Sequence, residues 1–174
     1  MPVYSFEGRK PNIHGSTYIS PSADIIGDVT IGEECFIAPG ARIKGDYGSI
    51  VIGDYSNIQE NCVVHARPDR STVIGDWVSV GHGAIIHGAN IKDWAVIGMG
   101  SVVSDDATVG LWSVIGEGAV VVSGSDIPNE SIAVGIPAKV KGEITEAFIE
   151  KWVDIKEKYR SFSKRYSDGL ERIS

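Results

Sequence analysis

Cysteine is scarce in this 174-residue chain: there are two, Cys35 and Cys62, and no Cys-x-x-Cys spacing. That excludes a small disulfide-stapled secreted scaffold and predicts two reduced, partly buried thiols. Positive charge is also in deficit, with 16 basic against 23 acidic residues and a net charge of -7. The basic residues concentrate after Lys139 among acidic ones, so there is no patch to displace phosphate counterions, and nucleic acid is excluded as a partner. No apolar run approaches the roughly 18 to 20 residues of a membrane span. Met1 to Lys10 lacks the basic-then-apolar order of a secretory signal, so a soluble cytoplasmic protein is expected. Proline is limited to 7 residues, and the 21 glycines do not cluster. Such glycines suit repeated turns, not low-complexity disorder.

What the chain does have is a period of six. Ile13, Ile19, Ile25, Ile31, Ile37 and Ile43 are evenly spaced. The count resumes at Ile52, Ile58 and Val64, at Ile74, Val80 and Ile86, and from Ile91 through Ile97, Val103, Val109, Ile115 and Val121 to Ile127. An amphipathic helix would repeat at 3.6, and ordinary strands would not keep one count through their turns. The pattern resembles the hexapeptide-repeat left-handed parallel β-helix, in which three hexapeptides make one triangular coil with aliphatic side chains pointing inward. Gly27, Gly32, Gly53, Gly75, Gly98, Gly110 and Gly116 fit its corners or close approaches between coils.

After Ile127 the period ends. Pro128 and Pro137 bracket an extended exit segment, and a stripe at Ile144, Phe148, Trp152, Ile155, Tyr159, Phe162 and Tyr166 steps by three or four residues. This predicts a helix over 146–167 with Thr145 as N-cap and Gly169 as stop, packed along the prism. One domain is expected, all-β with a C-terminal α-helix: the β-helix over 1–142, the helix and tail over 143–174.

The period slips three times. Three residues are added between Ile43 and Ile52, four between Val64 and Ile74, and one is lost between Ile86 and Ile91. Each slip lies beside a charged residue or a histidine, and loops that interrupt a rigid repeat commonly carry binding groups. Counting coils in threes from Ile13 puts Lys44, His65 and His87 on one face, with the two histidines stacked at about the 4.8 Å inter-strand spacing. His82 and Gln59 fall on a different face, on the order of 15 to 20 Å away by strand rise. One ion could then gather all three histidines only if His82 came from a neighbouring subunit, which predicts a homotrimer with metal sites at its subunit boundaries. His14, alone in the first turn, reads as a surface residue. His65, His82 and His87 are the candidate metal ligands, with Zn2+ the first choice and Fe2+ or Co2+ as other imidazole-compatible ions.

Lys44-Gly45-Asp46, Ser56-Asn57-Ile58-Gln59-Glu60, Val64-His65, Gly81-His82-Gly83, His87-Gly88 and Gly135-Ile136-Pro137-Ala138-Lys139 together resemble the γ-class carbonic anhydrases across nearly the whole chain. The resemblance implies three histidine ligands at a trimer interface. It also implies a lyase activity, hydration of carbon dioxide to bicarbonate by metal-bound hydroxide. On the same ground Gln59 orients that hydroxide, Asp46 accepts a hydrogen bond or proton, Asn57 and Glu60 support the site, and Tyr159 matches a helix tyrosine near the metal. The chain departs from the family where Lys44 replaces an arginine, since lysine cannot reproduce a bidentate fork. Lys156 stands where an asparagine is expected, and the acidic loop with a shuttle glutamate is missing. Gly45-Asp46-Tyr47-Gly48 and the tail from Trp152 to Tyr166 are similar to the phenylacetate- and carnitine-pathway relatives. Two rival readings remain: an acyltransferase or coenzyme A thioester hydrolase using a histidine as general base, and a non-catalytic trimeric metal-binding or assembly protein.

Overall fold

A computed structural model describes residues 2–174. Short parallel strands wind into a three-sided prism. One face stacks Arg42–Lys44, Val63–His65, Ile85–His87, Val102–Val103 and Val120–Val121. The second stacks the end of the long strand Arg42–Ile52 on Ser71–Ile74, Asn90–Ile91, Thr108–Val109 and Asp126–Ile127. The third stacks Tyr18–Ile19, Phe36–Ile37, Asn57–Ile58, Ser79–Val80, Val96–Ile97, Val114–Ile115 and Ser131–Val134. The expected left-handed β-helix is therefore the fold.

The inward positions of the repeat form one core: Ile25, Ile43, Ile58, Val64, Ile74, Val80, Ile86 and Ile91 are fully buried. β-Branched side chains suit these short strands, because their stiff χ1 loses little on a pleated buried surface. The corners need glycine where coils nearly touch. A Cβ on Gly32 would lie 2.1 Å from Asp54 Oδ1, and one on Gly75 2.2 Å from Asp93 Oδ1. Both cysteines are free and fully buried, more so than the partial burial expected.

The exit is not simply extended. Ser131–Val134 folds back antiparallel on Lys139–Glu143 around the Pro137 turn, which closes that end of the third face. The helix runs Glu146–Gly169, capped by Thr145, whose hydroxyl accepts from the Phe148 N–H. Gly169 is its last residue, and the cap falls on Leu170. The helix lies on the third face: Tyr159, Phe162 and Tyr166 pack on Tyr18 and Phe36. No helix among the described residues is long and apolar enough to cross a membrane.

Candidate active site

The two insertions and the deletion in the repeat converge on one corner of the first face. His65 and His87 are direct register partners in adjacent coils. His65 Nδ1 lies 3.1 Å from His87 Nε2. The first insertion brings Asp46, whose Oδ1 is 2.8 Å from His65 Nε2 and whose Oδ2 is 3.0 Å from Lys44 Nζ. The second brings Arg67, paired at 2.8 Å with Asp105 Oδ2. Asp105 Oδ1 in turn takes His87 Nδ1 at 2.7 Å. Gly88, at φ +61°, makes room for that approach: a Cβ there would sit 2.3 Å from Asp105 Oδ1. The result is a continuous line, Lys44–Asp46–His65–His87–Asp105–Arg67.

Proton bookkeeping along this line is restrictive. Burial pushes the Asp46 carboxyl up, but hydrogen bonds from Lys44 and His65 outweigh it and hold the group below its ordinary range. The hydrogen bond from Arg67, against burial and aided by His87, does the same for Asp105. Both are carboxylates at neutral pH, so each imidazole donates through the nitrogen facing its carboxylate. That leaves His65 Nδ1 and His87 Nε2 facing each other with a lone pair each, an arrangement that calls for a shared proton or a cation between them.

His82 is elsewhere, as the face count predicts. It stands on the third face beyond Val80, with Nδ1 2.5 Å from Glu60 Oε2. It borders a groove of about 440 Å³ between this face and the helix, lined also by Gln59, Met99, Glu117, Phe148, Trp152 and Tyr159. Gln59 is held from behind: its Nε2 donates to Asn57 Oδ1 at 3.0 Å, and Asn57 Nδ2 donates to Ser79 Oγ at 2.9 Å. Burial pushes the Tyr159 phenol up, with help from Glu60. Lys44, Asp46 and His65 thus gather at one place, and Asn57, Gln59, Glu60, His82 and Tyr159 at another. Within one chain, no three His, Cys, Asp or Glu residues among the described residues are grouped to hold a metal ion.

Residues 10–45 match the family model for the bacterial transferase hexapeptide of six repeats. The carnitine operon protein CaiE of Salmonella agona is 35% identical over 98% of this chain and 86% of that protein. The chain belongs to the hexapeptide-repeat family that contains the CaiE proteins. Two solved structures extend the likeness. A candidate acetyltransferase from Bacillus cereus is 36% identical, with a TM-score of 0.94, over 97% of this chain and 98% of that one. A hexapeptide transferase family protein from Anaplasma phagocytophilum is 33% identical, with a TM-score of 0.91, over 95% and 98%.

These relatives correct the expected activity. The expectation of a carbonic anhydrase, with its lyase class and zinc, rested on motifs read as γ-class. The relatives at this identity carry carnitine operon and transferase names instead. The physical reason for the error is that a repeat with histidines at its slips sets a scaffold and leaves the reaction open.

Sequence reasoning missed Asp105, Arg67 and Ser79. Asp105 had a usable signal: the coil after Ile86 is one residue short, so the register that pairs Ile86 with Val103 sets Asp105 opposite Gly88, beside His87. Arg67 had a weaker one, its place inside the second insertion.

Proposed function

We propose that the protein is an acyltransferase-like enzyme that works as a homotrimer, moving an acyl group from a coenzyme A thioester to a hydroxyl or amine acceptor in the His82 groove. The observation that carries this reading is the His82–Glu60 pair at the edge of a groove of about 440 Å³. Glu60 fixes Nδ1 as the protonated nitrogen, which leaves Nε2 with its lone pair free to act as general base. His82 Nε2 takes the proton of the acceptor as its oxygen or nitrogen bonds to the thioester carbonyl carbon. The carbon–sulfur bond then breaks, and the departing thiolate recovers the proton from the imidazolium. Gln59, braced by Asn57, offers its remaining amide groups to orient the acceptor. Hydrolysis of the thioester is the same sequence with water as the acceptor. The transferase names of the relatives support this reading. The test is release of free thiol from acetyl-coenzyme A across a panel of amine and hydroxyl acceptors, which His82→Ala should abolish.

A second reading is favoured by the facing lone pairs of His65 Nδ1 and His87 Nε2. The donor set fits a divalent cation: each ring's other nitrogen is held by a carboxylate, as metal-ligating histidines usually are. If the His65 face of one subunit meets the His82 face of the next, His82 Nε2 completes three nitrogens at the boundary. A cation bound there would supply positive charge and Lewis acidity. Elemental analysis separates the two readings. A transferase using His82 as base purifies without stoichiometric metal, whereas the cation reading needs one ion per chain, lost together with His65 or His87.

A further inference from the structure

Lys156 is the largest buried polar side chain, with 0% of its surface exposed. Among the described residues no carboxylate pairs with it. Its Nζ donates to the carbonyls of Trp77 at 2.6 Å and Ala95 at 3.1 Å and to Ser79 Oγ at 3.3 Å, beneath the Trp152 ring. A helix that only needed to be glued to the prism would do better with an apolar residue there, because taking an amine out of water is costly even when hydrogen-bonded. The third acceptor shows what the amine gains. Ser79 Oγ also accepts from Asn57 Nδ2, and Asn57 Oδ1 accepts from Gln59 Nε2. Asn57 is 1% and Gln59 5% exposed, so water does little to compete along this path.

We propose that Lys156 is a positioning residue that acts through Ser79 and Asn57 to fix the Gln59 carboxamide at the wall of the groove. The inference rests on the proposed use of that groove, but its geometry is independent of which molecule enters. Asn57 and Ser79 are register partners in adjacent coils, and Gln59 lies two residues beyond Asn57 on the same face. The helix contributes the one link that neither coil can make, an ammonium reaching inward from above. Docking of the helix and the orientation of Gln59 are thereby one event: a helix that lifts from the third face withdraws Lys156 and loosens the carboxamide.

The test uses the full-length protein with 15N-labelled glutamine and asparagine side chains at pH 6, reading solvent exchange of the Gln59 Nε2 protons by NMR. Ser79→Ala breaks the path while leaving Lys156 its two carbonyls, and Lys156→Met breaks it at the source. Lys158→Met, on an exposed position of the same helix, is the control. The relay predicts that both path variants raise Gln59 exchange about tenfold and shift its amide signals, consistent with loss of a buried hydrogen bond, while the control changes neither. Unaltered Gln59 signals in Ser79→Ala overturn the proposal, even if Lys156→Met proves unfolded. Thiol release is measured separately, so the relay stands or falls on the Gln59 signals even in a protein with no transferase activity.

Discussion

The first and third faces of the prism are built by the same hexapeptide rule yet hold opposite kinds of chemistry. The His65–His87 corner is a line of charges, cation to carboxylate to imidazole and back, and the helix lies on another face. The His82 face is roofed by the helix; beneath it lie a hydroxyl, two carboxamides, a phenol and the buried Lys156 amine with no carboxylate partner among the described residues, while the His82–Glu60 pair, Glu117 and Lys151 stand at the rim. The repeat sets where a side chain stands. What is added to the repeat, insertions on one face and a helix on the other, sets what that side chain can do.

The comparison can be broken most forcefully at His82. If the roofed face carries the reaction, His82→Ala lowers thiol release by about 10²- to 10⁴-fold, the usual worth of a general base, with thermal unfolding little changed. Next in size is the scaffold common to both faces. Ile86→Ala empties a fully buried position under the His87 strand, and should cost about 2–5 kcal/mol in denaturant unfolding.

A third prediction uses pH to separate the faces. Burial holds the Lys156 amine at about 7, against roughly 10.4 in an unfolded chain. Above pH 7 the unfolded chain holds a proton that the folded chain has released, so stability rises with pH. Burial has pushed the Cys35 and Cys62 thiols up to about 12 and 11. They oppose this trend as free thiols ionise, half of them by about pH 8.5. The lysine's own contribution is therefore read as the difference between the wild type and Lys156→Met in urea unfolding, which should grow by about 2 kcal/mol from pH 7 to 8.5 because the thiols cancel between the two. The charged corner has the same sign in a different window: Asp46 and Asp105 are held below their ordinary range, so their contribution is lost only as pH falls into the acid region. Smallest is Thr145→Ala, which removes the helix cap and should cost about 1 kcal/mol without touching the His65–His87 corner.

Much of this architecture was readable in the residues. The period of six placed His65 over His87 and separated His82 from both, and the register pairs agree. Thr145 declared itself as a cap because a hydroxyl before an apolar stripe is a local signal. Lys156 was not readable as a buried group, since its fate depends on the rotation of the helix over the third face, set by Tyr159, Phe162 and Tyr166 packing on Tyr18 and Phe36. Asp105 was hidden by distance along the chain, although the coil count contained it. The activity was misread because motifs that fix coils and corners are shared by proteins with different reactions.

The most direct measurement is the rate of thiol release from acetyl-coenzyme A by the intact assembly before and after exhaustive chelation, with metal content determined on the same samples. Catalysis by the His82–Glu60 pair predicts a rate that survives chelation, in protein purified with far less than one metal ion per chain. Stoichiometric metal whose removal abolishes turnover would contradict it and assign His82 to a shared cation instead.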